Sequence, residues 1–150
     1  MEYIISVRSN IYTAQPGEKM KKTIIEIRVR YAETDQMGVA HHGSYFTWME
    51  AARTELMREK GLSYRELEEY GYYLPVREAY CRYRASLQYD DVVLVEVELS
   101  ELKGASLKLN YRMLRKEDGK IVAQGYTIHP FTNTEGKIVR VPDFFAQIFG

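Results

Sequence analysis

Residues 31–53, YAETDQMGVAHHGSYFTWMEAAR, gather an aspartate, two histidines and two glycines just ahead of a helical pattern. Asp35 lies on a loop bounded by Gly38 and Gly43, and His41 and His42 follow it. A carboxylate placed there can attack an electrophilic carbon directly, or it can deprotonate a water molecule. The first amides of a helix have no intrahelical acceptor and carry the positive end of its dipole, so those around His42 and Gly43 suit a developing oxyanion. Ser44 or Gly43 can cap the helix. Taken alone, an aspartate in such a loop is more often an Asx-turn residue than a catalyst.

The helix that positions these groups is predicted over residues 44–60. Tyr45, Met49, Ala52 and Leu56 fall on one face, and Phe46, Trp48 and Ala51 widen the apolar surface. At about 1.5 Å per residue it spans roughly 25 Å, enough to cross a small sheet. Its first turns are expected to be buried on nearly all sides, with the N-terminus inside the protein or at an interface. Glu50 is the polar exception on this surface; if buried it must be hydrogen-bonded, and a structural network is its expected role.

Around that helix, residues 23–30 alternate Ile25, Ile27 and Val29 with charged residues, the period of a half-buried strand. Gly61 ends the long helix. Ser63 and Glu66 form a capping box for a short second helix that ends near Gly71. Four strands are expected next, over residues 72–85, 92–102, 105–115 and 121–131, joined as three successive hairpins. Pro75 puts the first of them at an edge or a bulge, and Asp118-Gly119 marks a turn. Pro142 opens a short C-terminal helix whose aromatic residues pack on the body. The order is that of an α+β domain in which one antiparallel sheet covers one helix.

A chain of 150 residues with 45% hydrophobic content is one folded domain by length. Residues 1–19, which include the breakers Pro16 and Gly17, are expected to be a poorly ordered extension ahead of a domain over 20–150, with Met20 a natural start site. Twenty-one basic residues against 21 acidic ones give no field that favours nucleic acid or membrane. The single Cys81 allows no internal disulfide, and three histidines without paired spacing suggest no metal site. No run is long enough to span a bilayer, and no signal peptide is visible, so the default location is cytoplasmic.

Tyr31, Thr34, Asp35, Gly38, His42, Tyr45, Glu50, Ala52 and Arg53 together resemble the signature of hotdog-fold acyl-CoA thioesterases of the 4-hydroxybenzoyl-CoA thioesterase class, especially the bacterial branch associated with the Tol–Pal system. Tyr89-Asp90-Asp91 is similar to the turn before the third strand of that family. The resemblance covers about residues 23–131. It implies a hotdog fold, an antiparallel sheet wrapped around a long central helix. It also implies homo-oligomers, with dimers paired sheet to sheet and often assembled into tetramers, and active sites at the dimer interface. Two positions depart from the pattern: Ala85-Ser86-Leu87 replaces a proline-containing segment, and His41 stands where many relatives carry an aromatic residue. Both bear on the acyl pocket.

The resemblance makes Asp35 the nucleophile or general base of acyl-CoA hydrolysis, without cofactor. His42 and Gly43 complete the catalytic set. Tyr31, Tyr45, Arg53, Arg82 and Arg84 are candidate substrate-binding residues; the arginines would meet the CoA phosphates of an otherwise neutral protein. The bland readings are core packing for Tyr45, solvated faces for the arginines, and helix capping or an interface for His42. His41 is expected to be structural and His129 a strand residue. Two other functions remain open: a hotdog hydratase or dehydratase, and a non-catalytic acyl-CoA-binding or scaffold protein.

Overall fold

Isoleucines at alternate positions make β2 (Lys22–Arg28) a strand with one dry face: Ile25, Ile27 and the following Val29 are all buried. The same phase runs through β4 (Val92–Lys103), where Val93, Val95 and Val97 turn inward, and β5 (Ser106–Arg115), where Leu107, Leu109, Tyr111 and Met113 do so. With β1 (Ile5–Val7), β3 (Glu78–Tyr83) and β6 (Ile121–Pro130) they form one antiparallel sheet in the order β1-β2-β4-β5-β6-β3. The structure is a computed structural model and describes residues 5–7 and 22–149. Apart from Ile5–Val7, which pair with β2, the expected N-terminal extension lies outside the described residues.

The long helix α1 (His42–Glu59) lies against β2, β4 and β3. Tyr45, Met49, Ala52 and Leu56 are buried as the spacing predicts, together with Trp48 and Met57. Trp48 has no exposed surface, and truncating a tryptophan so placed typically costs about 3–5 kcal/mol. Gly61, at φ 82°, ends the helix in the left-handed region that its lack of a Cβ permits. Ser63 then caps α2 (Tyr64–Glu69) by accepting the Glu66 N–H at 3.1 Å. At the far end, α3 (Asp143–Phe149) follows Pro142 and inserts Phe145 edge-on to Phe131, with ring centroids 4.8 Å apart. This is the expected hotdog arrangement: one antiparallel sheet around one long helix.

Three expectations need correction. Residues 72–77 are not strand: Tyr73 makes one isolated bridge to Thr132, and pairing starts only at Glu78, after Pro75. β3 does not form a hairpin with β4 but crosses to the opposite edge and pairs with β6 (Cys81 beside Gly125), leaving two sequential hairpins, β4-β5 and β5-β6. Finally, α1 is not covered on all sides within one chain, because His42, Thr47 and Glu50 are exposed. Glu50 is therefore solvated rather than part of a buried network.

The close approach of β3 and β6 depends on Gly125. A Cβ there would meet the Tyr80 carbonyl oxygen at 2.1 Å and the Met49 methyl carbon at 2.9 Å. Glycine at this position lets the edge strand and the central helix both close on β6.

Candidate active site

Asp35 sits on a pinched loop. Thr34 bridges to Ala40, the Asp35 N–H donates to the Val39 carbonyl (2.9 Å), and the Gly38 N–H donates back to the Asp35 carbonyl (3.0 Å). The Ala40 N–H donates to the Leu87 carbonyl at 2.7 Å, which ties the loop to the segment ahead of β4. The Asp35 side chain is exposed, and its Oδ1 accepts the Met37 N–H at 2.8 Å, so the residue does form an Asx turn. Oδ2 has no partner among the described residues.

The start of α1 follows at once. His41 is its N-cap, in extended conformation, with Nδ1 accepting the Gly43 N–H at 3.0 Å. The His41 carbonyl accepts the Ser44 N–H at 2.9 Å, and its own N–H donates to the Glu33 carbonyl at 2.7 Å. The Gly43 amide, expected to be open, is thus covered by the His41 ring. The His42 N–H is left at the helix start with no acceptor among the described residues, seven residues along the chain from Asp35.

A second layer lies beneath. The Tyr83 hydroxyl on β3 donates to the His42 carbonyl at 2.8 Å, and the Tyr45 and Tyr83 rings meet edge to face at 4.9 Å. Burial, helped by Cys81, pushes both hydroxyls up to about 12. Burial also raises the Cys81 thiol, against a lowering by its hydrogen bond to Tyr83. All three groups keep their protons near neutral pH.

The remaining predicted residues are dispersed. Tyr31 is exposed and stacks edge-on against Tyr89 at 5.7 Å, on the rim near Asp35. Arg53 is turned inward: its guanidinium acts on the hydroxyls of Tyr64 and Tyr111, opposing the upward push that burial gives both. Arg82 and Arg84 are exposed, and Arg84 donates to the Gln124 side chain at 2.8 Å. They share the β3 phase of Tyr80, whose ring stacks on Tyr126, whereas Cys81 and Tyr83 face the helix. Within one chain these two arginines therefore stand on the opposite side of the sheet from His42. His41 and His42 rings lie 4.1 Å apart, and His129 is buried in β6.

Sequence reasoning missed Glu33, Tyr83 and Cys81. Glu33 is buried, and its Oε2 accepts the Trp48 indole N–H at 2.7 Å. The available signal was that a buried indole N–H requires an acceptor. Tyr83 and Cys81 become visible once the phase of β3 is known.

A family model described as the thioesterase-like superfamily matches residues 29–149. The chain belongs to this superfamily. Among superfamily relatives, a protein of Aquifex aeolicus (strain VF5), provisionally named an esterase, is 36% identical over 121 residues, 81% of this chain and 92% of that one. The acyl-CoA thioester hydrolase YbgC of Escherichia coli O6:H1 is 33% identical over 92 residues, 61% of this chain and 69% of YbgC. A solved structure of a Thermus thermophilus protein described only as hypothetical superposes with a TM-score of 0.79 at 36% identity, covering 85% of this chain and 95% of that one.

Proposed function

We propose that this superfamily member hydrolyses acyl-CoA thioesters to the free acid and CoA. Asp35 acts as nucleophile or general base, and the amides at the start of α1, foremost the His42 N–H, receive the oxyanion. The observation that carries this reading is the uncapped His42 amide at the start of α1, the helix that directly follows the loop on which Asp35 keeps Oδ2 free. In either route a water adds an OH to the acyl carbon, directly or by opening an acyl–Asp35 anhydride, and the thiolate leaves with a proton. The helix dipole stabilises the charge on the carbonyl oxygen; removing one donor of this kind costs roughly 10²–10³ in rate.

The thioester hydrolase class is supported by the superfamily and by relatives such as YbgC. The signature over residues 31–53 supports the 4-hydroxybenzoyl-CoA thioesterase class and its Tol–Pal-associated branch; a cytoplasmic location is the default for such an enzyme. We further propose a dimer, assembled into a tetramer, whose second copy covers the open side of the site. The supporting feature is β3, which ends the sheet with an exposed edge carrying Tyr80 and Tyr83. Arg82 and Arg84 then reach the CoA phosphates around that edge, and Tyr31 lines the approach, while Tyr45 packs behind it on Tyr83 and Arg53 serves the packing of Tyr64 and Tyr111.

One observation favours a second reading, a non-catalytic acyl-CoA binder: the exposed Asp35 already spends one oxygen on the Met37 amide. Free-thiol release from short, long and aromatic acyl-CoAs separates the two. The wild type is expected to release thiol, and Asp35→Asn to lose at least ~10²-fold. Equal rates would remove Asp35 from the mechanism, and tight binding without release would establish the binder.

A further inference from the structure

Glu33 is the one carboxylate buried among the described residues, at 5% exposure. A buried carboxylate is tolerated only where donors replace its water. Here Oε2 accepts the Trp48 indole N–H (2.7 Å), while Oε1 accepts the Arg30 N–H (2.8 Å) with the Arg30 guanidinium nitrogen Nε at 3.5 Å. The main-chain carbonyl of the same residue accepts two further bonds, from the His41 N–H (2.7 Å) and the Ser44 hydroxyl (3.0 Å). One residue thereby joins the end of β2, the cap of α1 and the second turn of α1.

Packing alone does not call for this arrangement, since an apolar side chain fills such a space at lower cost. What a carboxylate adds is direction: two oxygens hold two donors at fixed separation. Asp35 stands two residues beyond Glu33, and the His42 amide stands one residue beyond the His41 N–H that the Glu33 carbonyl holds. We infer that Glu33 is the positioning residue of the site. Through Trp48, Arg30 and His41 it sets where the Asp35 carboxylate stands relative to the His42 amide. The inference rests on the hydrolase reading above.

Glu33→Gln keeps the shape but leaves an NH₂ group facing either the Trp48 or the Arg30 N–H, whichever way the amide turns. Trp48→Phe removes the indole donor and leaves Glu33 in place. Misplacement by about 1 Å can cost 10²-fold in rate, so each variant should lose roughly tenfold to 10²-fold in kcat. KM should stay within about twofold, because the substrate contacts themselves are untouched. The double variant should be no slower than the slower single one, as expected for two residues in one network. Trp48 is the chain's single tryptophan, so its emission in Glu33→Gln reports the broken bond independently of activity.

Wild type and Asp35→Asn are assayed alongside. Folded Glu33→Gln and Trp48→Phe proteins with wild-type kcat, or losses that multiply in the double variant, overturn the positioning role while Asp35→Asn still tests the reaction. A wild type that hydrolyses no thioester overturns the hydrolase reading and this inference with it. Should Glu33→Gln not fold, Trp48→Phe decides by the same kcat criterion.

Discussion

Acidification should destabilise this protein through His129. The ring is buried in β6, with Nδ1 3.2 Å from the Leu74 carbonyl and Nε2 2.8 Å from the Thr127 hydroxyl. Thr127 in turn lies 2.7 Å from the Tyr111 hydroxyl, on which the Arg53 guanidinium acts. A carbonyl only accepts, so Nδ1 carries the proton, Nε2 accepts from Thr127, and Thr127 accepts from Tyr111. A second proton on the ring would put an N–H at Nε2 and break the bond in which Nε2 accepts from Thr127. Burial is the largest cause pushing the His129 pKa down, from 6.5 to about 4; the Leu74 carbonyl opposes it and the Arg53 charge adds to it.

The sign follows from the proton count. Below pH 6.5 the unfolded histidine binds a proton that the folded one refuses until about pH 4, so this contribution is intact above 6.5 and lost as pH falls through that window. The full shift corresponds to about 3 kcal/mol, of which about 2 kcal/mol is lost between pH 7 and pH 5. Urea unfolding at a series of pH values should show this loss in wild type. His129→Phe, less stable throughout, should lack that component of the slope. Parallel slopes in the two proteins would refute the neutral, hydrogen-bonded ring.

Gly125→Ala should destabilise by about 1–3 kcal/mol or more, the range for overpacking, because the new methyl meets backbone at Tyr80 rather than a yielding side chain; urea midpoints measure this. His41→Phe removes the Gly43 cap and should cost about 1 kcal/mol in the same assay. Tyr83→Phe breaks the bond to the His42 carbonyl and should cost about 0.5–1.5 kcal/mol. An unchanged midpoint in either case would show that the bond carries no net stability.

The sequence spoke most clearly where one short stretch decides the outcome. Alternation in β2, β4 and β5 reflects a single dry face, and the Ser63 cap reflects four consecutive residues; both are local physics. The crossing of β3 to β6 was hidden because its partners lie forty to fifty residues away and the six residues before it bear a strand-like pattern but make only an isolated bridge. The long helix was legible from spacing, but it begins at His42 with His41 as its cap and not at Ser44 with Ser44 or Gly43 as cap, and Asp35 was singled out by the resemblance. The occupancy of the Gly43 amide by His41, and the role of Glu33, depend on side-chain directions that only the folded loop supplies.

A carboxylate and an amide acting at one carbonyl are tested most directly by a crystal structure of Asp35→Asn with an uncleaved acyl-CoA. The thioester oxygen is expected about 3 Å from the His42 nitrogen, and the side chain at position 35 about 3–3.5 Å from the acyl carbon or from one bridging water. A thioester bound with its carbonyl turned away from the start of α1, out of reach of position 35 in every subunit, would contradict this mechanism.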